Sequence, residues 1–258
     1  MKGHEVQTLA FHYGEQPALN GVNLTLQAGR FYGILGPNGS GKSTLLDLLM
    51  GYRRPSQGSV RLDGRPVEAF SGRELARRIA LVPQNFYIQF PYRAEEVVMM
   101  GRYPHIPRFT APAAADHAIV EAVMAQTGVA QFRSRLITEL SGGERQRVVF
   151  ARALAQEAEI LLLDEATASM DIRHSLDLLK LSAQGVREQG RTVIAVFHDL
   201  NLAAGFCDDL IFLKAGRVAI QGAAGNVLSS QTLEEVFQVQ ARVFYDAYAD
   251  APQVAFRY

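Results

Sequence analysis

The chain has 258 residues, 48% of them hydrophobic and 20% charged, a composition typical of a globular protein with a sizeable core. Lysine plus arginine number 26, as do aspartate plus glutamate, so no net basic field favours nucleic acid or an anionic lipid surface. The single cysteine, Cys207, excludes an intrachain disulfide and a cysteine metal cluster. No apolar stretch reaches bilayer length or resembles a signal region, and we therefore expect a soluble, cytoplasmic protein that meets membranes only through a partner.

The N-terminal part is predicted to form an antiparallel strand pair. Residues 5–28 alternate apolar and polar side chains, and residues 14–20 are expected to form the turn between the two strands. Tyr13, at the tip of the first strand, is a candidate for stacking on a purine ring. An ordinary half-buried strand aromatic explains Tyr13 equally well at this point.

A glycine-rich loop comes next. Residues 31–35 have the pattern of a short buried strand, residues 36–43 read Gly-Pro-Asn-Gly-Ser-Gly-Lys-Ser, and the apolar residues from 44 to 50 have helical spacing. Glycines let backbone N–H groups converge on phosphate oxygens, and a helix start adds donors and a partial positive charge. Lys42 can supply a positive charge to the outer phosphates, and Ser43 can place its hydroxyl on Mg²⁺. Because a predicted strand precedes the loop and a predicted helix follows it, as in phosphate-binding loops, a nucleoside triphosphate site is favoured over a chance match.

The next segments predict a strand at 59–63, a turn at 63–64, a helix at 73–78 and a buried strand at 79–82. Gln84 follows the end of that last strand, where open parallel sheets bind ligands, and it suits Mg²⁺ or a water molecule. A plain polar loop residue is the alternative. From 86 to about 156 the composition favours helices, most clearly at 111–130, which predicts a helical insert. The aromatic residues 86–92 belong either to the core or to an exposed protein contact.

Two carboxylates end the predicted strand at 158–164, which we expect to lie beside the phosphate-loop strand. Asp164 can hold Mg²⁺ through water opposite Ser43, and Glu165 can polarise an attacking water, although paired acids also cap helices. Further on, the patterns predict a helix at 175–189 with Leu176, Leu179 and Val186 facing inward. The remaining predicted elements are a strand at 192–197, a helix capped by Asp199, a hairpin at 210–213 and 217–220, a helix at 233–238 and a strand-like tail.

Residues 140–146 read Leu-Ser-Gly-Gly-Glu-Arg-Gln and open a helix. Ser141, Gly142 and Gly143 offer exposed donors at that helix start, a second candidate anion site. A simple capping sequence, with Ser141 as N-cap and Glu144 at the third position, is the alternative. Since the first loop already wraps its own nucleotide, a second phosphate site would serve a neighbouring chain. This predicts a twofold, head-to-tail dimer with each nucleotide between two subunits.

Taken together, these motifs resemble an ATP-binding cassette (ABC) ATPase over essentially the whole chain. The matching segments, in order, are 36–44, Gln84, 140–146, 160–165, 169–171 and His198. The resemblance implies an α/β fold with a P-loop NTPase (RecA-like) core, an N-terminal antiparallel β subdomain and an inserted α-helical subdomain. It further implies one nucleotide-binding domain over 1–258, with a core at 1–85 and 157–238, a helical part at 86–156 and a tail at 239–258.

The same resemblance implies the roles of single residues. Asp171 resembles the aspartate that crosses the dimer interface, and His198 resembles the histidine that contacts the γ-phosphate and acts with Glu165 in catalysis. Mg²⁺ is expected on Ser43, Gln84 and Asp164. ATP is expected on Tyr13, Gly36, Asn38, Gly39, Ser40, Gly41, Lys42, Ser43, Thr44, Ser141, Gly142, Gly143 and Asp171. Ala166 and Met170 depart from the usual proline and leucine of the family, without removing a catalytic group.

Residues 90–105 and 198–204 resemble importers of iron-siderophores, haem, cobalamin and related metal chelates. Such a cassette works as a homodimer on the cytoplasmic side of the inner or plasma membrane. It drives two transmembrane permease subunits fed by an extracytoplasmic substrate-binding protein, and residues 86–92 and 102–108 would lie near the permease. One alternative is a soluble ABC ATPase acting on nucleic acid or the ribosome, which zero formal charge and the lack of heptads disfavour. The other alternative is a cassette that serves a different cargo or an exporter.

Overall fold

The structure, a computed structural model, describes residues 2–86 and 88–257. Tyr87, which belongs to the aromatic segment noted above, lies outside the described residues. The chain packs as two compact units, each described here by itself. Unit 1 comprises Met1–Phe70 with Val186–Tyr258, and unit 2 comprises Ser71–Gly185. The division into a core, a helical part at 86–156 and a tail stays a prediction.

The secondary structure alternates strands and helices through most of the chain. The strands are β1 Gly3–Tyr13, β2 Gln16–Gln27, β3 Phe31–Leu35, β4 Gln57–Leu62, β5 Arg65–Pro66, β6 Ile79–Val82, β7 Ile160–Asp164, β8 Thr192–Val196, β9 Asp209–Lys214, β10 Arg217–Ala223, β11 Ala241–Asp246 and β12 Ala251–Phe256. The helices are α1 Lys42–Leu49, α2 Gly72–Arg78, α3 Ala94–Met99, α4 Ala114–Gln126, α5 Gly142–Ala155, α6 Ile172–Gln189, α7 Leu200–Phe206, α8 Ala224–Val227 and α9 Ser230–Phe237. Among the described residues, no helix combines the length and the apolarity that crossing a bilayer requires.

Unit 1 contains an antiparallel sheet in the order β2-β1-β4-β5. The predicted pairing of β1 with β2 is confirmed, but the turn is much shorter than the predicted 14–20. Tyr13 pairs with Gln16, which leaves only two residues for the turn, and Gly14 there has a φ of 59°. Glycine adopts this left-handed conformation without strain, so the second strand can begin at once.

The phosphate-loop strand β3 lies between two parallel neighbours in unit 1. Phe31 pairs with Val193 of β8, and Tyr32 pairs with Asp209 of β9. Because both edges of β3 are hydrogen-bonded, the prediction that the strand of Asp164 lies directly beside it is wrong. Strand order depends on long-range crossovers, which apolar patterning does not encode.

Unit 2 joins a parallel strand pair to a helical core. Strands β6 and β7 pair from Ile79 with Ile160 onward, and helices α3, α4 and α5 pack around buried apolar side chains. This confirms the predicted helical insert. Its core consists of Ala94, Val97, Val98, Val120, Met124, Val129, Phe132, Ile137, Leu140, Val148, Ala151 and Ala155. Phe86 and Ile88 pack against this core, which confirms the core interpretation for them, whereas Phe90 is 69% exposed and its contact with another protein stays a prediction.

The predicted inward face of helix α6 is confirmed in part. Leu178 and Leu179 are buried, whereas Leu176 and Val186 are only half-buried. Ser182 also lies on the buried face and donates its hydroxyl to the carbonyl of Leu178 at 2.9 Å. A small hydroxyl side chain satisfied within its own helix is inexpensive to bury. The prediction is therefore confirmed for Leu179, but apolar spacing alone did not indicate that Leu178 and Ser182 are buried as well.

Arg102 is held inside unit 2, and the placement of residues 102–108 near a permease stays a prediction. Its side chain is buried, with Nε 3.0 Å from Asp116 Oδ1 and one terminal nitrogen 2.6 Å from Glu157 Oε2. The same nitrogen donates to the carbonyl of Ala155 at 2.8 Å. Arg102 thus ties the N-terminus of α4 to the end of α5, and its charge is neutralised inside the unit.

Candidate functional site

The glycine-rich loop between β3 and α1 is closely packed against its surroundings. A Cβ atom on Gly36 would lie 2.1 Å from the carbonyl oxygen of Leu213. At Gly41, where φ is 100°, it would lie 2.6 Å from the carbonyl oxygen of Ala18. Both positions therefore require glycine for space as well as for conformation.

This loop presents donors that fit an anion. Among the described residues, no side chain caps α1 at Gly41, and the first turn of α1 has no acidic residue. Ser40 Oγ is buried without a hydrogen-bond partner in the described part of the chain. Lys42 is buried, and its Nζ donates to the carbonyls of Gly36 at 2.8 Å and Pro37 at 3.0 Å. An ammonium folded over its own loop, together with a helix start, is the donor set that a polyphosphate needs.

Tyr13 lies close to this loop in unit 1. Its hydroxyl is 3.4 Å from Thr44 Oγ1, and its ring meets Phe11 edge-on with centroids 5.0 Å apart. The ring remains 45% exposed. The structure therefore joins Tyr13 to the helix that follows the phosphate loop and leaves part of its ring open.

Gln84 and Glu165, both predicted site residues, are in direct contact in unit 2. The amide Nε2 of Gln84 donates a hydrogen bond to Glu165 Oε2. Glu165 has a φ of 48°, a left-handed conformation that bulky residues adopt only at a cost of order 1–3 kcal/mol. Such strain, at the residue that follows β7 and Asp164, redirects the carboxylate and marks a candidate functional position.

The loop of Gln84 is also held by helix α5. Gln146 donates its Nε2 hydrogen to the carbonyl of Pro83 at 3.0 Å, and the guanidinium of Arg152 lies 4.3 Å from the ring centroid of Phe86. These contacts place the Gln84 loop on the helix that begins with the second candidate anion site. The sequence contained Gln146 within that motif, but nothing in its pattern indicated a contact with Pro83.

Ser141 caps helix α5, as the capping interpretation predicts. Its Oγ accepts from the N–H of Glu144 at 3.4 Å, and its own N–H donates to Glu144 Oε2 at 2.8 Å. The hydrogen bonds from Ser141 hold the pKa of the Glu144 carboxyl below its ordinary value. Gly142 and Gly143 follow in the first turn, where the next backbone N–H groups lie.

Asp171 precedes helix α6 and is engaged by His174. The backbone N–H of His174 donates to Asp171 Oδ1 at 2.9 Å, and the His174 ring Nδ1 lies 2.8 Å from Oδ2. These two hydrogen bonds lower the pKa of the Asp171 carboxyl, the backbone one contributing most. The carboxylate remains largely exposed.

His198 is exposed and follows β8, and Asp199 caps α7 as predicted, accepting from the N–H groups of Asn201 and Leu202. The predicted site residues are divided between the two units. Unit 1 carries Tyr13, residues 36–44 and His198, and unit 2 carries Gln84, Ser141, Gly142, Gly143, Asp164, Glu165 and Asp171.

The proposed magnesium ligands do not form an all-protein metal site. Within residues 2–86 and 88–257, no three His, Cys, Asp or Glu side chains are grouped as a metal centre. Ser43, Gln84 and Asp164 instead offer one hydroxyl, one amide and one carboxylate. Such a sparse donor set suits Mg²⁺, which keeps several waters and takes its remaining ligands from phosphate oxygens.

Residues 19–168 match the protein-family model described as ABC transporter. The chain belongs to the ABC transporter family. This membership confirms the predicted fold class and the resemblance to cassette ATPases.

Three import or transport ATP-binding proteins are similar to this chain. The cobalamin import ATP-binding protein BtuD of Halobacterium salinarum is 45% identical over 88% of this chain and 57% of its own length. This chain therefore spans little more than half of that relative. The hemin import ATP-binding protein HmuV of Bradyrhizobium diazoefficiens is 42% identical over 93% of this chain and 90% of its own. The ferric enterobactin transport ATP-binding protein FepC of Escherichia coli is 38% identical over 96% and 92%.

Solved ABC structures have the same fold. An inward-facing metal-chelate type ABC transporter superposes with a TM-score of 0.86 at 30% identity, covering 100% of this chain and 98% of the other. A dimeric ATP-binding cassette in a post-hydrolysis state with ADP and Pi gives a TM-score of 0.77 at 29% identity, over 86% and 99%.

Proposed function

We propose that this ABC protein is the ATP-binding and ATP-hydrolysing subunit of an importer for a metal chelate. The direct hydrogen bond between Gln84 and Glu165 is the observation that carries the ATPase assignment, because it orients the carboxylate best suited to act on water. The phosphate loop supports it with two glycines that tolerate no side chain and with the folded-over Lys42. ATP would bind there through Gly36, Asn38, Gly39, Ser40, Gly41, Lys42, Ser43 and Thr44, with adenine on Tyr13.

In this proposal, water attacks the γ-phosphorus of ATP, ADP leaves, and Glu165 orients the water and takes up its proton. Lys42 offsets charge on the outer phosphates, and His198 donates to the γ-phosphate. Mg²⁺, when bound through Ser43, Gln84 and Asp164, would neutralise charge that develops on the β- and γ-phosphate oxygens. The hydrogen bond from Gln84 orients the Glu165 carboxylate before the reaction, so little reorganisation of that carboxylate would be needed.

We also propose that two chains close head-to-tail on two ATP molecules, with Ser141, Gly142, Gly143 and Asp171 of each chain reaching the nucleotide of the other. Gly142 supports this proposal. Apart from its two chain neighbours and the backbone of its own helix, no atom of the described residues lies within 4 Å of a Cβ placed on Gly142, and its φ is not left-handed. Nothing in the described part of the chain therefore requires glycine at this position. Close approach of a ligand from outside would explain it.

Gly142→Ala is expected to weaken ATP-driven dimerisation about fivefold. The added methyl group would hold the nucleotide of the other chain farther from the backbone N–H groups, and weakening one hydrogen bond costs about this much. The dimerisation constant would be measured by sedimentation velocity in a Glu165→Gln background that blocks hydrolysis. Gly72→Ala is a matched control, because Gly72 also follows an N-cap serine in a capping box and also faces open space. Equal dimerisation by both variants would contradict the shared-nucleotide dimer.

The proposed cargo class is supported by the names of the relatives, which import cobalamin or hemin or transport ferric enterobactin. We propose that this chain acts from the cytoplasmic side of the inner or plasma membrane. It would bind there as a homodimer to two transmembrane permease subunits, with an extracytoplasmic substrate-binding protein supplying the chelate and no nucleic acid as partner.

Replacing the chromosomal gene with one encoding Glu165→Gln should reduce uptake of one metal chelate to background, because a cassette that cannot hydrolyse ATP cannot reset the permease. Cells would be given radiolabelled haem, ferric siderophore or cobalamin, and initial uptake rates compared with wild type and with Glu159→Gln cells. Unchanged uptake of all three chelates, with ATPase activity lost in the purified variant, would refute the cargo class.

A further inference from the structure

The guanidinium of Arg53 lies among three aromatic rings in unit 1. Its Cζ is 4.9 Å from the ring centroid of Tyr13, 5.6 Å from that of Phe11 and 5.9 Å from that of Tyr52. A cation within about 6 Å of an aromatic centroid is attracted by the negative face of the ring. Tyr13, which has the shortest of these distances, is the ring proposed above to stack on adenine.

Helix α1 holds Arg53 in this position. Arg53 Nε donates to Asp47 Oδ2 at 2.8 Å, and the backbone N–H groups of Tyr52 and Arg53 donate to the carbonyl of Asp47 at 2.9 and 3.3 Å. Asp47 lies one turn beyond the start of α1, whose N-terminus completes the phosphate loop. The cation on Tyr13 is therefore attached to the same helix that would receive the triphosphate.

The ring of Tyr13 is consequently fixed by three different contacts. Phe11 meets it edge-on, Thr44 lies at hydrogen-bonding distance from its hydroxyl, and Arg53 lies over it. The ring is still nearly half exposed, so part of its surface is open to a ligand. A ring already ordered in the free protein loses less conformational entropy when a base stacks on it.

We infer that Arg53 is a positioning residue for the nucleobase of ATP, holding the ring of Tyr13 from the side opposite adenine. This inference rests on the proposed function. Because Arg53 contacts aromatic rings that include Tyr13, and is held there by Asp47, its contribution is expected to belong to the nucleoside part of the ligand. Asp47 supports it by holding the guanidinium in place.

The test compares binding of ATP and of inorganic tripolyphosphate, which fits the phosphate loop but has no base. By isothermal titration calorimetry on the full chain, Arg53→Ala should bind ATP about two- to fivefold more weakly, the range expected for a partly exposed cation–π contact. Tripolyphosphate affinity should not change, and the KM for ATP should rise while kcat stays the same. Arg53→Lys should restore part of the affinity, because lysine keeps the charge and loses the planar stack.

Arg54→Ala is the matched control, since Arg54 is the adjacent exposed arginine and lies outside the aromatic cluster. In a Tyr13→Ala background, Arg53→Ala should have no further effect, because the two residues would act as one unit. Equal loss of ATP and tripolyphosphate affinity, or full additivity with Tyr13→Ala, would overturn the inference while leaving the ATPase proposal intact. A wild-type chain that binds tripolyphosphate but no ATP would overturn both.

Discussion

Glu165→Gln retains ATP binding and loses most of its turnover, with the rate of hydrolysis expected to fall about 10²- to 10⁴-fold. The amide keeps the size of the carboxylate and can still meet Gln84, but it cannot accept a proton from the attacking water. Hydrolysis would be followed by phosphate release at saturating ATP, and binding by calorimetry. The loss should therefore appear in kcat and leave the dissociation constant nearly unchanged.

A suitable control for this variant is Glu159→Gln, because Glu159 comes just before strand β7 and Glu165 just after it. Glu159 is exposed and pairs with Arg78 at 2.8 Å. Exposed pairs of this kind contribute about 0–1 kcal/mol, so little change in stability or turnover is expected there. Wild-type turnover in Glu165→Gln would remove Glu165 from the catalytic role and leave the Gln84 contact as a structural one.

Lys42→Ala has the second large effect, an expected loss of about 10- to 100-fold in ATP affinity, since a hydrogen bond to a charged group contributes about 1.5–3 kcal/mol. Tripolyphosphate binding should fall equally, because Lys42 acts on phosphates and not on the base. This pattern is the opposite of the one expected for Arg53→Ala. Calorimetry with both ligands would separate the two residues.

Lys180→Ala, on the exposed side of α6, provides the charge-matched control for Lys42→Ala. Thermal unfolding belongs in the same experiment, because Lys42 also donates to the carbonyls of Gly36 and Pro37. A variant that melts like wild type yet binds both ligands normally would show that these two carbonyls, and no nucleotide, are the partners of Lys42.

Local sequence was sufficient to predict much of the candidate site. Residues 36–44 specify a turn and a helix start within nine positions, and the glycine requirement at Gly36 and Gly41 agrees with that prediction. The capping box of Ser141 and the cap at Asp199 were equally readable. In each case the interacting groups lie within a few residues, so backbone propensities and side-chain chemistry determine the outcome.

The contacts that refine the site could not be predicted from the sequence. The hydrogen bond from Gln84 to Glu165 joins residues 81 positions apart, and the contact of Arg53 with Tyr13 joins a loop to a strand. Nothing in the sequence around Arg102 indicated that its side chain is buried and paired with two carboxylates. Burial and pairing of this kind depend on which segments the fold brings together.

By itself, the sequence determined the type and order of the elements, the phosphate loop and the family, because periodicity, glycine positions and caps are local properties of the chain. The tertiary structure alone decided that β8 and β9, and not β7, flank β3. It also decided that Leu178 and Ser182 join the buried face of α6 and which side chains hold Gln84, Glu165 and Tyr13. Each of these features depends on many weak contacts between segments that are distant in the sequence. Such contacts form only in the folded chain, so local sequence patterns do not reveal them.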